Sequence, residues 1–86
     1  MAKNKLYVGN ISYTTSEEEL RDLFSSYGEV SSVNIVLDRI TGKSRGFGFV
    51  EMSQQEQAEE AIKGLHDQDF GGRKLTVDFA RERRND

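Results

Sequence analysis

Ser44-Arg-Gly-Phe-Gly-Phe-Val-Glu-Met52 (SRGFGFVEM) is the stretch whose reading decides the fold. It follows a polar, glycine-containing turn and sets Phe47 and Phe49 two positions apart, with a glycine before each. Composition and alternation make Gly46 to Met52 a strand, and successive side chains of a strand point to opposite faces. One face then carries Gly46, Gly48, Val50 and Met52; the other carries Phe47, Phe49 and Glu51. Either the two rings fill a core or they are displayed for something to touch, and the neighbouring strands choose between these.

Upstream, Lys5-Leu-Tyr-Val-Gly9 alternates in the same way and reads as a first strand. Ser16-Glu-Glu-Glu19 is a capping box, followed by Leu20, Leu23, Phe24 and Tyr27 at helical spacing, so a helix is expected over about 17–27 with Gly28 as a left-handed stop. Val33, Ile35 and Leu37 alternate with Asn34 and Val36 as a second strand, and Asp38 to Arg45 is a polar turn bending at Gly42. Downstream, Ser53-Gln-Gln-Glu56 is a second capping box, and Ala58, Ala61, Ile62 and Leu65 are the apolar stripe of a second helix. Phe70-Gly-Gly-Arg73 reads as a loop or tight hairpin, and Lys74 to Ala80 as the last strand. The order β-α-β-β-α-β is the ferredoxin-like, split βαβ arrangement of the α+β class. It predicts a four-stranded antiparallel sheet with both helices on one face and none left for the other.

That asymmetry settles the faces. Tyr7 lies opposite Leu6 and Val8 on the first strand, and Leu75, Val77 and Phe79 oppose Thr76, Asp78 and Ala80 on the last. If Tyr7, Phe47 and Phe49 faced the helices, Glu51 and Asp78 would be buried unpaired while Leu6, Val8, Val50, Leu75 and Val77 met water. Burying a lone charge costs too much for that arrangement. The opposite assignment buries only apolar residues and puts Gly46 and Gly48 beneath the helices. The three rings are therefore expected on the open face, as an apolar patch that calls for a ligand.

The chain has 86 residues, enough for one domain, ordered over about 4–81 with 82–86 a loose basic tail. With no cysteine and one histidine it offers no thiolate nucleophile, disulfide frame or cysteine metal site, and no cofactor or metal is expected. The N-terminal residues lack the apolar run of a signal peptide and no segment has the length of a membrane span, so the expectation is a soluble cytosolic protein. The net charge of −3 conceals a dipole: segments 16–29 and 51–69 hold eleven acids and two bases, the remainder ten bases and four acids. The acidic segments are solvated helix faces. Lys5, Lys43, Arg45, Lys74, Arg81, Arg83 and Arg84 come from strand ends and loops around the ring-bearing sheet. Flat rings rimmed by cations suit unpaired bases joined by a phosphate backbone.

These residues resemble those of the RNA-recognition motif family. The family's octamer, Lys/Arg-Gly-Phe/Tyr-Gly/Ala-Phe-Val-x-Phe/Tyr, is matched by Arg45 to Met52 at seven of eight positions, counting the free one. Its hexamer stands upstream as Leu6-Tyr-Val-Gly-Asn-Ile11. The likeness covers about residues 4–81 and is greatest to short bacterial single-domain members and to glycine-rich RNA-binding proteins, without the latter's glycine-rich tail. It implies that Tyr7 and Phe49 each stack on a base, that Phe47 packs against the sugars between them, and that Arg45 pairs with a phosphate. Asp78, Ala80 and Arg81 would meet base edges through backbone groups, Asn34 would read a further base, and Lys5 and Lys43 belong to the cationic rim. The implied ligand is single-stranded RNA bound by a monomer in post-transcriptional regulation, with single-stranded DNA bound too, more weakly if the 2′-hydroxyls are read. No membrane or small-molecule substrate is implied.

Two positions depart from the family pattern. The octamer ends in Met52 rather than an aromatic, on the core face. His66-Asp67 stands where Asn-Gly is common after the second helix, so Asp67 is expected to accept a left-handed backbone and His66 to be a solvated loop residue. Two other classes share the topology. A protein-binding domain using the same sheet face would have no special need for the basic rim. An acylphosphatase-like enzyme would want an anion-cradling loop with an arginine after the first strand, and Gly9-Asn-Ile-Ser-Tyr-Thr-Thr15 has none, so no catalysis is expected. Gly46-Phe-Gly48 lies on a strand and is no dinucleotide fingerprint.

Overall fold

The computed structural model describes residues 4–80. Its elements are β1 (Lys5–Gly9), α1 (Glu17–Ser25), β2 (Val30–Leu37), β3 (Ser44–Met52), α2 (Gln55–Leu65), β4 (Asp69–Phe70), β5 (Arg73–Lys74) and β6 (Thr76–Phe79). β2-β3-β1-β6 form an antiparallel four-stranded sheet, with β4 and β5 paired beside it as a small hairpin. This is the expected ferredoxin-like arrangement. Leu6, Val8, Val50, Met52, Leu75 and Val77 of the sheet side meet Leu20 and Phe24 of α1 and Ala58, Ala61 and Leu65 of α2 in one core. No helix of the described residues is long and apolar enough to cross a membrane.

α1 begins where the sequence places it. Ser16 Oγ accepts the Glu19 N–H at 3.1 Å while the Ser16 N–H donates to Glu19 Oε1 at 2.8 Å, satisfying two otherwise orphaned donors. Its end comes earlier than expected. The helix stops at Ser25, Ser26 is still right-handed, and the Tyr27 N–H closes a tighter turn on the Phe24 carbonyl. Gly28, at φ 153°, follows this turn and is not a left-handed cap, whose φ is about +57°.

The second capping box does not form. Gln54 is the N-cap of α2 and makes no side-chain cap, because the Ser53 N–H is held by the Glu29 carbonyl at 2.9 Å and Ser53 Oγ donates instead to Gln57 Oε1 at 3.0 Å. The tie from Ser53 to the loop before β2 delays the helix by one residue. After α2, Asp67 adopts φ 68°, the left-handed conformation expected of it. His66 is not simply solvated. Its Nδ1 accepts the Val77 N–H at 3.1 Å, capping an amide that edge strand β6 would otherwise leave open. Gly71 and Gly72, at φ 64° and 85°, make the two-residue hairpin turn between β4 and β5, and the last sheet strand accordingly starts at Thr76 rather than Lys74.

The two strand glycines play other parts than packing beneath the helices. Gly48 is buried, but a Cβ on it would run into the Asn34 carbonyl oxygen and lie 2.8 Å from Ile35 Cα, so the space it spares belongs to the backbone of β2. Gly46 has φ 88° at an irregularity where the β2–β3 register shifts between Ile35 and Leu37. A Cβ there would stand 3.3 Å from the Tyr13 ring.

Candidate nucleic-acid interface

Register assembles the open face. Tyr7 pairs with Phe49 on one side and with Asp78 on the other, and Phe49 pairs in turn with Asn34, so Asn34, Phe49, Tyr7 and Asp78 form a row across all four strands. Phe47 pairs with Gly9, one step along the sheet. A Cβ on Gly9 would lie 2.5 Å from Tyr7 Oη and 2.8 Å from Cζ, so its bare backbone is the floor on which the Tyr7 ring lies. The ring centroids are 5.8 Å apart for Tyr7 and Phe47, 6.0 Å for Tyr7 and Phe49, and 6.3 Å for Phe47 and Phe49. These are tilted and edge-on contacts, which leave ring faces open. The three rings are half-buried by one another and by the sheet, and none belongs to the core cluster or to the residues packed against it.

The cations stand where a backbone could meet them. Lys5 Nζ lies 5.2 Å above the Phe49 ring, a cation–π contact. Arg45 and Lys43 are exposed at the start of β3 and in the loop before it. Among the described residues the one contact between a basic side chain and a carboxylate is His66 Nε2 with Asp67 Oδ2, at 3.7 Å, so Lys5, Lys43 and Arg45 have no carboxylate of those residues at bonding distance. Asn34 and Asp78 are exposed at the ends of the row. The Ala80 N–H donates to the Lys5 carbonyl at 2.8 Å, extending the β1–β6 ladder, so that amide is bonded within the sheet. Arg81, with Arg83 and Arg84, lies outside the described residues.

The β2–β3 loop is built on Asp38. Its Oδ1 accepts the Thr41 N–H at 2.9 Å and the Ile40 N–H at 2.8 Å. These two bonds, Thr41 first, hold its carboxyl below the ordinary aspartate value, and the nearby Arg45 charge adds to the effect. Since the folded value is depressed, the stabilisation is complete above the unfolded value and disappears as pH falls through the folded one. In an NMR pH titration, Asp38 is expected to protonate below the ordinary value of about 3.9, with the Ile40 and Thr41 amide shifts moving in the same step. Titration of Asp38 at or above the ordinary value would contradict this account of the loop.

Two residues that the sequence reading did not place at the site border it. Tyr13 is 66% exposed, with the Arg73 guanidinium carbon 6.0 Å from its ring centroid. The only sequence signal was an aromatic in the polar stretch Ser12 to Thr15, where no helical or strand spacing asks for one.

Compared with known families, residues 6–76 match the model described as RNA recognition motif. The chain belongs to the RNA recognition motif family. This RRM is 43% identical over 83 residues to glycine-rich RNA-binding protein 3, mitochondrial, of Arabidopsis thaliana, covering 96% of this chain and 27% of that protein. It is 46% identical over 80 residues to cleavage stimulation factor subunit 2 of Homo sapiens, covering 93% of this chain and 14% of that one. The RRM thus spans about a quarter or less of the length of these two relatives. Among solved structures it resembles RNA binding protein PG1, with a TM-score of 0.88, 51% identity and coverage of 94% of this chain and 98% of that one. It also resembles the Rna15 RRM solved with bound RNA (GU), with a TM-score of 0.84, 30% identity and coverage of 94% and 86%.

Proposed function

We propose that this RRM binds single-stranded RNA of roughly 2–4 nucleotides on its open sheet face, by stacking on Tyr7 and Phe49 and by phosphate contacts from its cationic rim. The observation that carries this reading is the separate cluster of Tyr7, Phe47 and Phe49, which lies outside the core and, among the described residues, is covered by no helix. Phe47 packs against sugar, Arg45, Lys43 and Lys5 meet phosphates, and Asn34 and Asp78 meet the edges of flanking bases. RNA binding in post-transcriptional regulation is in keeping with the names of its relatives. A cytosolic, non-enzymatic monomer is part of the same proposal, as is weaker binding of single-stranded DNA.

Magnitudes set the expected affinity. Two stacked bases contribute about 2–6 kcal/mol, whereas a micromolar dissociation constant requires about 8. Phosphate contacts must supply the difference, so binding is modest and salt-dependent. With about three phosphates neutralised, the affinity for a single strand scales roughly as the inverse square of the salt concentration. A tenfold rise in salt should then weaken binding about a hundredfold. Fluorescence anisotropy with a labelled random single-stranded RNA pool tests this over a salt series, with duplex RNA as comparator. A salt-independent constant would contradict the phosphate contacts, and equal affinity for the duplex would contradict stacking. Failure to bind either RNA would favour the protein-binding alternative for the same face.

A further inference from the structure

We propose that Tyr13 and Arg73 form a second base-binding position beyond the sheet, where one unpaired RNA base inserts between the phenol ring and the guanidinium plane. The inference rests on the reading of the sheet as an RNA platform and lengthens its footprint by a nucleotide.

Exposure of one tyrosine is ordinary; the arrangement around this one is not. Stacked bases repeat at about 3.4 Å, so a ring, a base and a guanidinium in sequence need about 6.8 Å. The Arg73 guanidinium carbon stands over the Tyr13 ring at 6.0 Å from its centroid, close to that spacing. Guanidinium and phenol planes both stack on π systems, and every base offers a π face.

The two side chains are carried on segments already pinned to one another and to the platform. Asn10, left-handed at φ 57°, donates from Nδ2 to the Lys74 carbonyl at 2.6 Å, tying the end of β1 to the strand that bears Arg73. The Ile11 N–H bonds the Gly46 carbonyl at 3.0 Å, holding the stem of the Tyr13 loop on β3. Gly46, lacking a Cβ, lets the Tyr13 ring lie close against that strand. A depression of about 390 Å³ runs from Tyr7 and Phe47, past Arg45, to Tyr13 and Arg73. A strand leaving the sheet aromatics therefore reaches the pair along a continuous hollow, with a cation beside it for the connecting phosphate.

The test compares labelled single-stranded RNAs of about three and six nucleotides by anisotropy, on the unaltered protein, Tyr13→Ala, Tyr13→Phe and Arg73→Lys, with melting curves to confirm folding. Tyr13→Ala is expected to weaken the longer RNA by roughly 5- to 100-fold, the worth of one stacked base, and to leave the shorter within about twofold. Tyr13→Phe keeps the stack and behaves as the parent. Arg73→Lys keeps the charge without the plane and also loses affinity for the longer RNA only. If Tyr13→Ala does not fold, Arg73→Lys carries the same length discrimination. No loss on the longer RNA, or equal loss on both, overturns the inference while leaving the sheet platform intact. Absence of binding by the unaltered protein overturns the platform and this position together.

Discussion

Replacing Tyr7, Phe47 and Phe49 together by alanine is expected to abolish micromolar binding of single-stranded RNA, and Phe49→Ala alone to weaken it at least tenfold, about 1.4 kcal/mol. The physical basis is that the faces of these rings are spent on neither the core nor a helix. Their mutual contacts are edge-on and tilted, at 5.8 to 6.3 Å between centroids. Such pairs contribute about 0.5–1.5 kcal/mol each beyond area burial. Phe49→Ala loses two of them and a cation–π contact with Lys5, a real but limited cost to folding. Phe24 is the control. It is fully buried between α1 and the sheet, and Phe24→Ala should cost about 3–5 kcal/mol, much of the stability of a domain this small. Near this chain length each kcal/mol moves the melting temperature by roughly 4–8 °C. The two substitutions should therefore separate: Phe24→Ala melts lowest, whereas Phe49→Ala melts at most moderately below the parent and loses RNA while folded. If Phe49→Ala melts as low as Phe24→Ala, the ring is core and the platform reading fails. If it melts like the parent and binds RNA like the parent, the ring is displayed but takes no base.

The open face was legible because one physical conflict admits one solution. Glu51 and Asp78 share their faces with Phe49 and stand opposite Val77, so parity alone forces the rings outward once both helices cover a single side. Asp67 was legible for a similar local reason, since aspartate is among the few residues that tolerate the left-handed region its turn requires. What escaped the sequence were contacts between segments distant along the chain. Ser53 has the right spacing for a capping box, yet its backbone is claimed by Glu29 across the fold. His66 looks like a loop residue until edge strand β6 places the Val77 amide beside it. Tyr13 and Arg73 are sixty positions apart and meet across the fold, where Asn10 also ties the end of β1 to β5. Alternation predicts which face a side chain takes; it says nothing of which segment arrives at that face.

Gly48 makes the same distinction measurable. Its φ lies outside the positive region, so alanine there meets no torsional penalty, and its place on the core face of β3 gave no hint beyond close packing. The obstacle is the neighbouring strand. A Cβ would collide with the Asn34 carbonyl oxygen, fall 2.8 Å from Ile35 Cα and 3.2 Å from the Asn34 carbonyl carbon. These are backbone atoms held in the β2–β3 ladder, with Ile35 paired to Gly48 itself, so no rotamer change relieves the clash. β2 has to move away from β3 or β3 has to buckle. Overpacking of this kind costs about 1–3 kcal/mol and occasionally more. Gly48→Ala is thus expected to lower the melting temperature by roughly 4–24 °C, and, because Asn34 is the partner of Phe49, to disturb the edge of the RNA face in whatever fraction stays folded. Gly42→Ala supplies the contrast. Gly42 has open space around it but φ 73°, so its cost is torsional, about 1–2 kcal/mol, and confined to the loop that Asp38 closes. Urea denaturation of both variants separates the two mechanisms, with RNA binding measured beside it. Gly48→Ala should lose stability and binding together, Gly42→Ala a smaller amount of stability and little binding. A Gly48→Ala protein as stable as its parent would mean that β2 yields freely, and that the register joining Asn34 to Phe49 is not what holds the platform in shape.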